Sequence, residues 1–310
     1  MDLKKILPLI GIALFIFILI KLDIRNVIVE ICNLRINYFM IALLFVIISI
    51  NTATFKWFII AKKQGIKIKY WDAFKINIIC DFYGFVTPSK LGTIIRAEYL
   101  KKHSDIGSGI SNFVTDKVLD FYSLFFLALL FGFVFKEKLG INFLAYLSIL
   151  IMFLVFILFS LLIFDKNKNK KFLKAVYKKL LPNKFKAKAK LAYNSFYENV
   201  PEKKLFFLFF IVHLINWGFI YSVDYFIGKS LGINISFVYF LAIFPIGTLI
   251  AMIPISINGL GTREAVLISL FAIFGISSAK VFSMSIITIF ITGIIPALIA
   301  NFLIWGDKEL

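Results

Sequence analysis

The chain reads as an all-α polytopic membrane protein with about six spanning helices plus two broken or re-entrant helical hairpins in pseudo-inverted halves; eight complete spans are the alternative. Three observations carry that reading. Hydrophobic residues fill 61% of its 310 positions and Phe alone accounts for 38, against roughly 45–50% apolar usage in soluble domains. Apolar runs of about 20 residues, enough to cross some 30 Å of hydrocarbon, recur along the whole sequence. Two further apolar segments are interrupted by Gly, Pro and charge, at Cys80 to His103 and at Pro254 to Ala265. A lipid-facing backbone does not tolerate such breaks, because a freed N–H or C=O finds no water there.

Lys4 and Lys5 precede an apolar run from Ile6 to Ile20 that ends at Lys21 and Asp23 without a small-residue cleavage site, the pattern of an uncleaved first span rather than a signal peptide. A second span runs from Tyr38 to Ala61. The loop after it holds Lys62, Lys63, Lys67 and Lys69 and no acid, which makes it cytoplasmic by the positive-inside rule and puts the amino terminus on the same side. Trp71 to Val86 is a shorter arm carrying Asp72, Lys75, Asn77 and Asp81; after the break a second arm ends at Lys101, Lys102 and His103, basic again. With both ends on one side, a re-entrant hairpin is expected.

Spans follow from Gly109 to Phe135 and from Ile141 to Phe164. Asp165 to Lys204 then holds 13 Lys against Asp165, Glu198 and Glu202, a basic cytoplasmic loop within what is otherwise one integral-membrane domain over 1–310. Phe172, Leu173, Val176, Tyr177, Leu180 and Leu181 recur there at helical spacing, as in a basic amphipathic helix on the inner leaflet, with a solvated linker as the alternative. Leu205 to Ile227 goes out carrying His213, Asn216 and Asp224. Arms from Phe237 to Ile253 and from Arg263 to Phe274 make the second hairpin, opening outward, and Val281 to Trp305 brings the carboxyl terminus inside.

The two breaks look alike. Leu91-Gly92-Thr93 is followed by Arg96 and Glu98, and Leu260-Gly261-Thr262 by Arg263 and Glu264, one in each half. Interrupted helices at matching positions of two halves mark the substrate site of secondary transporters. Helix starts aim free N–H groups and a positive dipole end at the break, and guanidinium forks suit phosphate. The substrate-binding candidates are therefore Pro88, Ser89, Gly92, Arg96, Asn258, Gly259, Gly261, Arg263 and Glu264. The plainer alternative pairs Arg96 with Glu98 or Asp81, and Arg263 with Glu264 or Asp224.

Asp116 and Asp120 share a helix face with Lys117 beside them, so Asp81, Glu98, Asp116, Lys117 and Asp120 form a candidate ion or proton relay, or else a structural ion-pair cluster. His213 is expected as a helix–helix hydrogen-bond donor. Cys32 and Cys80, the two cysteines, exclude a disulfide framework and a Cys-based metal site. No catalytic set, metal or cofactor is expected, and no nucleotide loop of the phosphate-cradling kind is present. The net charge of +18 goes to orientation and anionic headgroups rather than to nucleic acid.

Three blocks in order resemble the lysylphosphatidylglycerol synthase transmembrane family, also called flippase-like: Thr87-Pro88-Ser89-Lys90-Leu91-Gly92 with Arg96-Ala97 and Tyr99-Leu100; Thr115-Asp116-Lys117-Val118-Leu119-Asp120; and Pro254-Ile255-Ser256-Ile257-Asn258-Gly259-Leu260-Gly261-Thr262-Arg263-Glu264. The resemblance covers nearly the whole chain. It implies a module that moves lipid between leaflets, which in some relatives is fused to a soluble aminoacyltransferase making lysyl-lipid and in archaeal relatives accompanies glycosyltransferases on polyprenyl lipids. The chain departs from the family at Ser89, at Thr93 and at Lys117, so the acid of the first break falls to Glu98 or Asp81. No soluble transferase domain is present. The expectation is a flippase or transporter, more a carrier than an enzyme, in the plasma membrane, acting on a phospholipid or polyprenyl lipid with a possible partner transferase. The alternative is an integral-membrane glycosyl or aminoacyl transferase or its accessory subunit.

Overall fold

The computed structural model describes residues 14–22, 24–87, 90–135, 137, 143–165, 183–253 and 256–306. Helices follow one another throughout: α1 Ile24–Cys32, α2 Ile36–Lys63, α3 Tyr70–Phe85, a 3-10 turn Leu91–Ile95 leading into α4 Arg96–Leu100, α5 Ile106–Val134, α6 Phe143–Phe164, α7 Asn183–Glu198, α8 Lys203–Ser230, α9 Phe237–Ala251, α10 Thr262–Ala272, α11 Ser278–Ile289, and a π-helical turn Phe290–Ile294 continuing into α12 Ile295–Gly306.

Five helices among the described residues are long and apolar enough to cross a membrane: α2, α5, the Tyr146–Phe164 part of α6, α8, and α11 through α12. The first expected span lies mostly outside the described residues, as does the amphipathic helix expected over Phe172 to Leu181. The 28 residues of α2 and of α8 reach about 42 Å at ~1.5 Å per residue, more than some 30 Å of hydrocarbon, so both extend beyond it or tilt. The core forms where α2, α5 and α8 meet the hairpins, and α6 stays peripheral, held to α5 by ring contacts such as Phe121–Phe156 at 5.0 Å and by the Tyr122–Ser160 hydroxyl pair.

Both broken segments are hairpins, and they open at opposite ends of α5. The first descends as α3 and returns through the 3-10 turn and α4. Its returning Leu100 joins Ile66, Ile68 and Ala73, beside the start of α3, in one buried cluster. The amino-terminal end of α5 follows directly, with Gly109 against Ala97. The second descends as α9 and returns as α10. Phe271 in the last turn of α10 and Phe274 just beyond it meet Phe240 and Tyr239 at the start of α9 edge-on and tilted, with ring centroids 5.3 and 4.8 Å apart. Tyr239 in turn meets Phe135 at the carboxyl end of α5, 4.7 Å away. The arms have 16, 15 and 11 residues in α3, α9 and α10, about 24, 23 and 17 Å, which suits hairpins and not eight complete crossings.

The described end of the long basic loop is also placed. α7 lies across the mouth of the first hairpin: Ser195 Oγ is 3.3 Å from Ser108 Oγ, and the Asn199 carbonyl accepts from Gln64 Nε2 at 2.7 Å and from Ser111 Oγ at 3.1 Å.

Candidate functional site: a cavity between two hairpin tips

Each tip is built by residues that let backbones pass closely. At the first, a Cβ on Gly92 would lie 2.1 Å from the Tyr83 carbonyl oxygen, so only Gly allows the returning chain to cross α3 there. The Gly92 N–H donates to Thr87 Oγ1 at 2.7 Å, and that hydroxyl donates to the Tyr83 carbonyl at 2.8 Å, which satisfies groups freed by the break. Lys90 takes a left-handed backbone, φ 54°.

The second tip turns through left-handed Asn258, Gly259 and Gly261, with φ of 49°, 75° and 80°. A side chain on Gly259 would also strike Ala251, whose Cβ would be 2.3 Å away. Glu264 closes the turn from inside: its carboxylate accepts from the Gly261 N–H and from Ser285 Oγ, each at 2.5 Å, and it is buried. It is the return half of a helix cap at the start of α10.

The tips face one cavity of about 230 Å³. Lys90 and Thr93 line it from the first tip and Asn258 and Arg263 from the second, with α2, α5, α8 and the π-helical turn of α11–α12 as walls. Its charged lining alternates in sign: Lys56, Lys90, Lys117 and Arg263 against Asp81, Asp120 and Asp224. Arg263 Nη2 donates to Ser285 Oγ at 2.8 Å, and its Nε lies 3.4 Å from Glu264 Oε1. Asp224 accepts from Thr288 Oγ1 at 2.9 Å, and Asp81 from Asn77 Nδ2 at 3.0 Å. Trp217 lines the cavity with its indole N–H buried and without an acceptor.

Behind this lining lies a buried ion cluster. Asp116, fully buried, accepts from Lys56 Nζ at 2.8 Å and Arg96 Nη1 at 2.9 Å, and its Oδ1 lies 3.1 Å from His213 Nε2. Asp120 takes Lys56 on both oxygens, at 2.7 and 2.8 Å, and has Lys117 at 3.5 Å. The guanidinium of Arg96 also lies over the Trp57 ring, 4.7 Å from its centroid. Asp116, Asp120 and His213 bring ligand atoms within 4.8 Å of one another. The Lys56 ammonium bonds both carboxylates, so this donor set already holds a cation of its own, and a metal ion beside it would meet a like charge.

The model of the family described as lysylphosphatidylglycerol synthase TM region matches residues 6–300. The chain belongs to this family. A UPF0104 membrane protein of Pyrococcus horikoshii is 25% identical over 99% of this chain and 98% of its own length. The protein is thus a multi-pass membrane protein of the lysylphosphatidylglycerol synthase transmembrane family, whose name is lipid-related and whose members meet membrane lipid.

In this family member the expected site residues separate by where they stand. Arg263 and Asn258 reach the cavity, as do Asp81, Lys117 and Asp120 of the relay set, while Gly92, Gly259 and Gly261 shape the tips. Arg96 and Asp116 stand behind the lining in the ion cluster, and Glu264 caps α10. Glu98 is on the surface, paired with Lys101 at 3.1 Å; it meets neither the cavity nor Arg96, whose partner is Asp116. Pro88 and Ser89 lie outside the described residues. Sequence reasoning gave no role to Lys56, Lys90, Trp217 or Tyr221, all of which line the cavity. The available signal for Lys56 was a cation inside the apolar run of a 28-residue helix, well ahead of the terminal Lys62 and Lys63, which membrane burial makes costly without a partner.

Proposed function

We propose that this chain is a lipid flippase or transporter, moving an anionic, aminoacylated or polyprenyl-linked lipid headgroup between leaflets with coupled ion movement. The observation that carries the reading is the shared cavity: tips of two hairpins that open at opposite ends of α5 meet there with Lys90 and Arg263. The two cations suit a phosphate. Asp81 and Asp224 on the same lining suit an ammonium group such as an aminoacyl headgroup carries. The basic loops after α2 and before α8 support cytoplasmic termini in a plasma membrane. The proposed binding set is Lys90, Gly92, Asn258, Gly259, Gly261 and Arg263; Arg96 and Glu264 hold the framework, and Asp81, Asp116, Lys117 and Asp120 carry the relay.

The test is leaflet exchange of acyl-labelled fluorescent phosphatidylglycerol in liposomes. Arg263→Ala and Lys90→Ala each slow exchange at least about tenfold, the weight of one charge-assisted contact, with thermal unfolding unchanged. Wild-type rates in both remove the headgroup site. A new lipid product on thin-layer chromatography that depends on Asp120 supports the transferase reading instead.

A further inference from the structure

His213 stands between two acceptors. It is fully buried; its Nδ1 is 2.7 Å from the Phe209 carbonyl oxygen and its Nε2 3.1 Å from Asp116 Oδ1. A carbonyl never donates, so the proton of a neutral ring belongs on Nδ1. The contact to Asp116 then needs a second proton, carried either on Nε2 as imidazolium or on the carboxyl of Asp116. A neutral ring facing an ionised carboxylate would set two lone pairs against each other in a dry interior. We propose that Asp116 and His213 share an exchangeable proton, and that this pair is the coupling site of the transporter; the coupling half of the proposal rests on the transport reading above.

The groups facing the pair allow exchange with the cavity. From α2 comes Lys56; from α5, Asp116, Lys117 and Asp120; from α4, Arg96 through Asp116. On α8 itself Tyr221 bonds Thr248 and Asp224 bonds Thr288. The titratable side chain of α9 is Tyr239, which meets Phe135 and Phe274 at the start of that helix, and Lys280 of α11 lies at the far mouth near Gly232. Lys56 and Asp120 line the cavity, whereas Asp116 and His213 do not. The route is balanced. The proton passes from Nε2 to Asp116 Oδ1; Lys56 gives one proton to Asp120 and takes that of Asp116; Asp120 releases its proton to cavity water. One N–H bond is lost at His213, one hydronium is gained in the cavity, and Lys56 ends as it began; the emptied pair is left with its two lone pairs opposed, the unfavourable state that rebinding a proton relieves. A phosphate held by Lys90 and Arg263 adds negative charge to the cavity that Lys56 and Asp120 also line and favours the loaded state, and by linkage the loaded state favours phosphate.

The chain has two histidines, His103 and His213, so His103→Gln leaves one ring to observe. Isotope-labelled histidine NMR of that variant in nanodiscs is expected to show Nδ1 protonated and the second proton lost in one step as pH rises, a step absent when Asp116→Asn is added. A ring with Nδ1 bare, or a spectrum unchanged from mildly acidic to mildly alkaline pH, overturns the shared proton. In liposomes, exchange of acyl-labelled phosphatidylglycerol changes about tenfold over the same pH range in the wild type and not in His213→Gln, a coupling of ordinary size; pH-independent wild-type exchange overturns the coupling. Should the wild type exchange no lipid while the NMR step persists, the transport reading and its coupling fall and the proton site stands.

Discussion

Asp116 is the residue on which the buried charges depend. Two cations and an imidazole converge on it with no solvent to screen them. Replacing one partner of such a group strands the others, at about 3–5 kcal/mol. Asp116→Ala is therefore expected to lower the midpoint of thermal unfolding in detergent strongly, and Arg263→Ala to leave it nearly unchanged, because Arg263 is partly open to the cavity and its partner Glu264 keeps the bonds from the Gly261 N–H and Ser285 Oγ. Equal losses in both would contradict the division between framework and cavity. At this scale the sequence was half legible. The spacing of Asp116 and Asp120 showed a shared face, and Arg263 at a tip was visible from its place after Gly261. The pairing of Arg96 with Asp116, and the reach of Lys56 to both carboxylates, depend on how α2, α4 and α5 cross, which no local pattern encodes.

Among the elements, the first hairpin owes its shape to two close approaches, Gly92 over the Tyr83 carbonyl and Gly84 under Thr93. Gly92→Ala forces these backbones apart and is expected to reduce both thermal stability and lipid exchange, measured side by side. Undiminished exchange would show that the tip does not shape the cavity. The start of α5 is separately fixed by Asp105, which accepts from the N–H groups of Gly107 and Ser108 at 2.8 and 3.2 Å. Burial pushes its carboxyl up, but hydrogen bonds from the Ser108 and Ser195 hydroxyls and from those N–H groups outweigh it and hold the carboxyl below its ordinary range. A carboxyl held low in the fold stabilises above its unfolded value and loses that contribution as pH falls through the lowered one. Asp105→Ala thus costs about 1 kcal/mol near neutrality, a gap that narrows in acid. The positions of the five spans among the described residues were readable to within a few residues because long apolar runs and basic loops mark them. The 3-10 return of the first hairpin and the π-helical turn at Phe290–Ile294 were not, since one answers to the crossing at Tyr83 and the other seats Gly293 against Phe85.

For the whole molecule, loop charges and two similar breaks were enough to expect hairpins entering from opposite faces, and the mouths do open at opposite ends of α5. In a background carrying Cys32→Ser and Cys80→Ser, a membrane-impermeant maleimide is expected to reach His103→Cys from one face of the membrane and Gly275→Cys from the other; labelling of both from one face would remove the inversion. The meeting of the tips was suggested only by their shared residue types. The walls that α2, α8 and α11 contribute, with Tyr221, Asp224 and Thr288, come from long-range packing. The most direct measurement is cross-linking in native membranes with a short bis-maleimide between Lys90→Cys and Arg263→Cys in the same cysteine-free background. A cross-linked monomer that no longer exchanges lipid, with exchange intact in the uncross-linked protein, is the result expected. Tips that never join, or joined tips that still pass lipid at the full rate, would contradict a common headgroup site.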